Sequence, residues 1–469
     1  MPYPSRSSIS ARLRNLAAIL CAGSLVVAPL PSHAQDGPKA GIVRDAETEQ
    51  LLREYTAPIF RAAGIDANAI RIILVNDRSF NAFVANGQKI FINIGALMDS
   101  ETPNEITGVL AHETGHIQGG HLARLRQELT RAKVLSVVGM LAGAGAVVGA
   151  SQSGGRVGGS GAGAMGTLSA GQELVKRSLL AYQRSEEQAA DQAALRYLAA
   201  TGQSPNGMLK TFRRFNDAAL FRSSALDPYL LSHPLPTERI AQLEALAKQS
   251  PHFAKKDSAV LQARHDLMRA KLFGFTERPE TVGRRYPLRD ASAPGRYARA
   301  VQAYKSGRLS EAISNIDGLI REQPGNPYFW ELKGQALLES GRAREAMEPL
   351  RRAVSLAPGA VPIRAMLGHA LVATNDARLL DEAVRELSNA SIRDPEFAEA
   401  FQHLATAYGR KGNIGMAELA SAQAFFNSGD LKNAQTQASR AMQKLPRGSP
   451  GFLKAEDIFN YRPPGSYRS

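Results

Sequence analysis

The chain has 469 residues, a net charge of +14 and 44% hydrophobic residues, enough apolar content for two or more cored domains. No lysine/arginine run is interleaved with aromatics, which disfavours nucleic acid as the partner of the basic excess. A single cysteine excludes a disulfide framework. Residues 1–34 read as an export signal. Arg6, Arg12 and Arg14 make a basic start and Leu16 to Leu30 an apolar stretch, and Ser32-His33-Ala34 puts small residues at the two positions a signal peptidase reads. About 15 apolar residues are short for a membrane span, and Leu20 before Cys21 does not suit a lipoprotein site. Cleavage near Ala34 removes the only cysteine, so a metal site in the mature chain must use histidine and carboxylate. It also removes three arginines and no acid, leaving +11 to attract the chain to an anionic envelope surface.

Residues 43–62 alternate charged and apolar positions at helical spacing. Ile70 to Val75 and Lys89 to Ile94 read as strands, each bounded by Asn, Asp or Gly. An amphipathic helix then spans Glu105 to Arg126, started near Thr102-Pro103-Asn104 with Glu105 in its first turn. It contains Ala111-His112-Glu113-Thr114-Gly115-His116. Residues four apart share a helix face, so His112 and His116 can present two imidazoles to one metal ion, with Glu113 placed to take a proton from water. Val134 to Gly155 follows, uncharged and rich in Gly and Ala, with Gly139-x-x-x-Gly143 and Gly145-x-x-x-Gly149. That spacing suits close helix packing or a short membrane-dipping hairpin, and a glycine-rich loop is the plainer reading. Helical patterning returns from Glu173 to Ala200.

Two histidines need a third protein ligand for a catalytic metal, and three residues compete for that place. His121 lies one residue short of the last histidine in an H-E-x-x-H-x-x-G-x-x-H motif, because position 122 is Leu; it reads as a simple surface histidine. Glu187 and Asp191 lie a turn apart on one helical face. Glu187 could bind the metal while Asp191 accepts a hydrogen bond from the second nitrogen of a ligand histidine; Glu186 points about 100° away from that face. His233 sits in a stiff His-Pro pair. It could stabilise a tetrahedral intermediate or occupy the open metal position in a resting form. Arg239 could pair with a site carboxylate.

Beyond a basic connector at 251–295 the chain repeats. Gly307 and Gly341, Ala312 and Ala346, and Pro324 and Pro358 are each 34 residues apart. An Ala-to-Pro interval of twelve recurs at Ala312, Ala346, Ala383 and Ala434, and Trp330 and Gly334 lie four apart in the second unit. The third unit has three extra residues near Asn375 to Leu379, and Ala417 stands where the fourth unit's central alanine belongs. This is a tetratricopeptide pattern, in which small residues let paired helices touch. The expected fold is mainly α, with a small β-sheet in an α+β domain at 35–250. A connector at 251–295, an all-α tetratricopeptide solenoid at 296–446 and a loose tail at 447–469 follow.

Asn81-Ala-Phe83, Glu105-x-x-x-x-Leu-Ala-His-Glu-x-Gly-His116, Glu187-x-x-x-Asp191 and His233-Pro with Arg239 resemble, in order and spacing, the gluzincin-like peptidase family that includes the heat-shock protease HtpX and the CAAX prenyl protease. Export plus a repeat array is similar, more narrowly, to the periplasmic beta-barrel assembly-enhancing proteases. The resemblance implies a periplasmic endopeptidase with one zinc on His112, His116 and Glu187, and Glu113 as base. It implies His233 and Asp191 in catalysis, and Arg239 and Asn81 in support or substrate contact. It further implies stalled or unfolded outer-membrane proteins as substrates, assembly machinery held by the repeats, and peripheral membrane contact. The competing expectation is a chaperone or adaptor whose repeats do the work. The sequence departs from relatives with Ala189, where a second acid is common, and in its long glycine-rich insert. An extended substrate is expected to pair with the strand Lys89 to Ile94.

Overall fold

The structure, a computed structural model, describes residues 41–85, 88–131, 160–221, 233–234 and 237–463. The export segment and the stretch 134–155 lie outside them. Strands β1 (Ile42–Val43), β2 (Arg71–Val75), β3 (Ala82–Ala85) and β4 (Lys89–Asn93) form a mixed sheet in the order β1-β2-β4-β3. Helix α1 (Ala46–Ala62) is capped by Asp45, whose carboxylate accepts the Thr48 N–H at 2.8 Å. α1 buries Leu51, Leu52, Tyr55 and Ile59. These side chains join Leu74, Ile90 and Ile92 of the sheet in one core, each apolar side chain contributing about 1.5–3 kcal/mol on burial.

β4 lies between β2, which it pairs in parallel, and β3, which it pairs antiparallel. Its backbone is therefore engaged on both sides and cannot accept an added strand, contrary to the expectation for Lys89 to Ile94. Among the described residues the unpaired edge beside β4 belongs to β3, whose Phe83 stacks on Phe91 at 5.2 Å. β3 has only four residues, two of them Ala, a weak strand signal.

After α2 (Ile94–Asp99), Thr102 starts α3 (Pro103–Gly119), with Pro103 in the first turn and Glu105 accepting the Thr102 N–H at 3.2 Å. α3 is buried from Pro103 to Gly115, an uncommonly central place for a helix carrying charged groups. It ends at Gly120, whose φ of 66° is left-handed, and residues 121–131 begin a new helix, α4. The single amphipathic helix expected to Arg126 is thus broken in two. α5 (Ser160–Ala200), α6 (Asn206–Phe221) and α7 (Thr237–Ala247) complete this half. Among the described residues no helix is long and apolar enough to cross a membrane.

Residues 251–295 hold α8 (Ala259–Thr276) and α9 (Pro279–Arg285). α8 is tied to the first half by His265, which meets Tyr55 Oη and the Ser100 carbonyl at 2.9 Å each. The same helix sends Lys271 into a buried cluster with Asp45 (2.5 Å), Glu331 (3.4 Å) and Glu47 (3.7 Å).

The repeats run as helix pairs α10 (Ala293–Lys305) with α11 (Leu309–Glu322), α12 (Pro327–Glu339) with α13 (Ala343–Leu356), α14 (Val361–Ala373) with α15 (Leu380–Arg393), and α16 (Ala398–Arg410) with α17 (Ile414–Asn427). Ala312, Ala346 and Ala383 are fully buried, where larger side chains would hold the paired helices apart. The third unit's extra residues form a 3-10 turn, Ala377–Leu379, after Asn375 at φ 59°. α18 (Leu431–Lys444) and α19 (Pro450–Asn460) continue the stack. The tail expected to be loose from 447 therefore contains a helix, anchored by buried Ala455 and Ile458. The array also returns to the sheet. Asp394 pairs with Arg44 and Arg71 at 2.7 Å each, and Glu396 pairs with Arg71 (2.7 Å) and Lys89 (3.1 Å).

Candidate metal centre

Helix α3 supplies His112, Glu113 and His116; α5 supplies Glu187 and Asp191; the segment before α7 supplies His233, and α7 supplies Arg239. α3 and α5 approach closely because position 115 is glycine: a Cβ there would lie 2.8 Å from the Ala190 carbonyl oxygen and 3.0 Å from its Cα. Both contacts are backbone, so neither can swing away. Gly115→Ala is expected to force the helices apart, cost about 1–3 kcal/mol and lower metal content. Thermal unfolding and elemental analysis of the purified variant check this, and an unchanged melting point with full metal would refute it.

His112 Nε2, His116 Nε2, His233 Nδ1 and the Glu187 carboxylate converge. His112 and His116 Nε2 are 3.0 Å apart. His112 Nε2 is 3.4 Å from His233 Nδ1 and 3.4 Å from Glu187 Oε2. Glu187 Oε1 is 3.3 Å from His116 Nε2 and 3.1 Å from His233 Nδ1. A tetrahedral ion with bonds of about 2.0–2.1 Å has ligand–ligand edges of about 3.3–3.4 Å, which these separations match. Three imidazole nitrogens and a carboxylate sharing one buried point suit a divalent cation, since protons alone cannot bridge so many mutual contacts.

Asp191 Oδ1 stands 2.9 Å from His112 Nδ1, leaving the Nε2 lone pair for a metal. Arg239 holds Asp191 through two hydrogen bonds, at 2.6 and 2.9 Å, and reaches Glu187 at 2.9 Å. It also donates to the Pro234 carbonyl at 2.8 Å, fixing the His233 segment. Burial disfavours charge on His112, but Asp191 and Glu187 overcome it and lift its pKa to about 9. His116 is pushed down to about 3 by burial, only partly offset by Glu187. Burial opposes ionised Glu187, yet the three histidines hold its carboxyl well below the usual range.

Glu113 is fully buried beside this cluster and its oxygens accept no hydrogen bond from a described residue. The nearest basic group is His233 Nε2 at 3.4 Å. Burial raises the Glu113 pKa, with His233 and His112 pulling against it. An ionisable oxygen pair left without donors at a metal-competent cluster is suited to receive a proton.

Asn81 precedes β3, and its carbonyl accepts the Asn93 N–H at 2.9 Å; no described bond joins it to the cluster. His121 is not a surface histidine. It is 6% exposed, contacts His116 Nδ1 through its own Nδ1 at 2.9 Å and pairs with Glu186 at 2.9 Å. Sequence reasoning extended one helix past Gly120, which would put His121 on another face; the break at Gly120 is the signal that was available.

Residues 45–247 match the family model described as Peptidase family M48, and residues 297–361 match that of the tetratricopeptide repeat. The chain is 26% identical over 411 residues to a Beta-barrel assembly-enhancing protease of Yersinia pestis, covering 86% of this chain and 81% of that one. It is 25% identical over 417 residues to the protein of that name from Escherichia coli (strain K12), with the same coverage, 86% and 81%. Among solved structures it is similar to YrrB, a TPR protein with an unusual peptide-binding site, at 21% identity and a TM-score of 0.31 over 38% of this chain and 92% of that one.

Proposed function

We propose that this chain, which matches the Peptidase family M48 model over residues 45–247 and the tetratricopeptide repeat model over 297–361, is a zinc-dependent endopeptidase of the bacterial cell envelope. Its role in this reading is quality control and assembly of outer-membrane proteins, supported by relatives that are named beta-barrel assembly-enhancing protease. The observation that carries the reading is the convergence of His112, His116, Glu187 and His233 on one buried point, with Glu113 alongside. In it His112, His116 and Glu187 would hold the zinc, with His233 beside them as a further candidate ligand. Zinc bound there supplies Lewis acidity, polarising the scissile carbonyl and lowering the pKa of water toward ~7. Glu113 takes the proton of the attacking water and returns it to the leaving amine. Asp191 and Arg239 fix His112 and the His233 segment.

The free edge of β3, next to α3, suits an extended substrate held by backbone hydrogen bonds, a mode indifferent to sequence. Unfolded strands of barrel proteins fit it, and the repeats serve as the protein-binding part, for substrate or assembly machinery. Export to the periplasm and peripheral attraction to an anionic surface follow from residues 1–34 and the basic charge. Casein cleavage by the purified protein is expected to stop with a chelator and return with zinc, and Glu187→Ala is expected to lose metal. Cleavage that survives chelation, or full metal in Glu187→Ala, would overturn the assignment.

A further inference from the structure

His112 and His116, whose Nε2 atoms face the cluster, must each keep a proton on Nδ1 if that Nε2 lone pair is to face an ion. For His112 the group facing Nδ1 is Asp191. For His116 it is a second histidine. His116 Nδ1 and His121 Nδ1 are 2.9 Å apart with the rings nearly perpendicular, at 88°. His121 Nε2 is 2.9 Å from Glu186 Oε2, and the same oxygen accepts a hydrogen bond from Arg124 at 2.8 Å. With an ion on His116 Nε2, the neutral-imidazole arrangement that satisfies every contact has His116 Nδ1–H donating to His121 Nδ1 and His121 Nε2–H donating to Glu186.

We propose that His121, anchored by Glu186 and Arg124, is a positioning residue that locks His116 in its metal-binding tautomer. The proposal rests on the reading above that His116 is a ligand. The local chain is shaped for it. Gly120, at φ 66°, turns the backbone so that the first side chain of α4 folds back over the last turn of α3. A Cβ at position 119 would sit 2.1 Å from His121 Nε2 and 2.4 Å from Cδ2, so glycine there leaves the room that this orientation of His121 needs. The two metal-site histidines are thus held by parallel devices: His112 by Asp191 and Arg239, His116 by His121, Glu186 and Arg124. The second is longer by one imidazole: Glu186 lies about 100° around α5 from Glu187, and His121 bridges it to His116.

The test uses the full chain and zinc itself, with affinity measured by competition against a chromophoric chelator. His121→Phe fills the space without an acceptor and is expected to weaken zinc binding 10–100-fold. His121→Gln keeps an amide oxygen that can accept the His116 proton and is expected to restore most of that loss. Thermal unfolding of the metal-free proteins is expected to be alike for both. Wild-type affinity in His121→Phe, or equal loss in Phe and Gln with equally destabilised metal-free proteins, would overturn the relay. His116→Ala separates the underlying reading: zinc binding that survives it means His116 is no ligand, whatever His121 does.

Discussion

Glu113→Gln is expected to keep zinc and lose peptide cleavage by about 10²–10⁴-fold, the usual worth of a positioned acid–base group. The amide has the shape of the carboxylate but cannot take a proton from water. Folding should not suffer. The Glu113 oxygens are fully buried and accept no described hydrogen bond, so the neutral amide removes a desolvated ionisable group rather than a stabilising contact. Elemental analysis, a melting curve and casein cleavage on one preparation separate these effects. Cleavage retained in a metal-loaded variant would sink the base assignment. The same variant weighs the protease against the chaperone reading. If the wild type and Glu113→Gln rescue an envelope defect equally, the repeats do the work and the peptidase is latent.

The chemistry of this site was legible because helical periodicity alone puts His112 with His116 and Glu187 with Asp191, and both pairs meet in the structure. His233 was legible only as a candidate, since its place depends on Arg239 bonding the Pro234 carbonyl, a contact no local pattern encodes. His121 was misread for a local reason. A glycine pair can continue a helix or end it, and the left-handed turn at Gly120 ended it. Likewise Ala82–Ala85 is only four residues long with Ala at both ends, too short for an alternating pattern to mark it as the edge strand that pairs with β4. The repeats were legible through identity at fixed intervals. Their grip on the sheet through Asp394 and Glu396 was not, because it joins charges more than 300 residues apart.

The junction between the halves carries the second large expectation. Lys271 is buried with Asp45, Glu47 and Glu331, and the Tyr297 hydroxyl donates to Glu47 at 3.0 Å. One ammonium among three carboxylates leaves the cluster short of positive charge. Burial pushes Glu47 and Glu331 up to about 7 each, despite the pull of Lys271. Their unfolded values lie near 4.5, so the folded protein holds protons that the unfolded chain has released. The resulting stability is complete below about pH 4.5 and is lost as pH rises through 7, on the order of 3 kcal/mol for each group taken singly. The melting temperature should therefore fall between about pH 4.5 and 7, and Glu47→Gln with Glu331→Gln should flatten that fall; an unchanged slope would refute the cluster's part in it. Lys271→Met is the harsher change. It strands the carboxylates without their cation and should cost about 3–5 kcal/mol at neutral pH, less at pH 5, where Glu47 and Glu331 carry protons. Because Asp45 and Glu47 start α1, Lys271 lies on α8 and Glu331 on α12, that loss falls on the seam between peptidase and repeats. Calorimetry should then resolve two transitions in the variant where the wild type unfolds as one, and a single transition in both would show that the seam is held by other contacts.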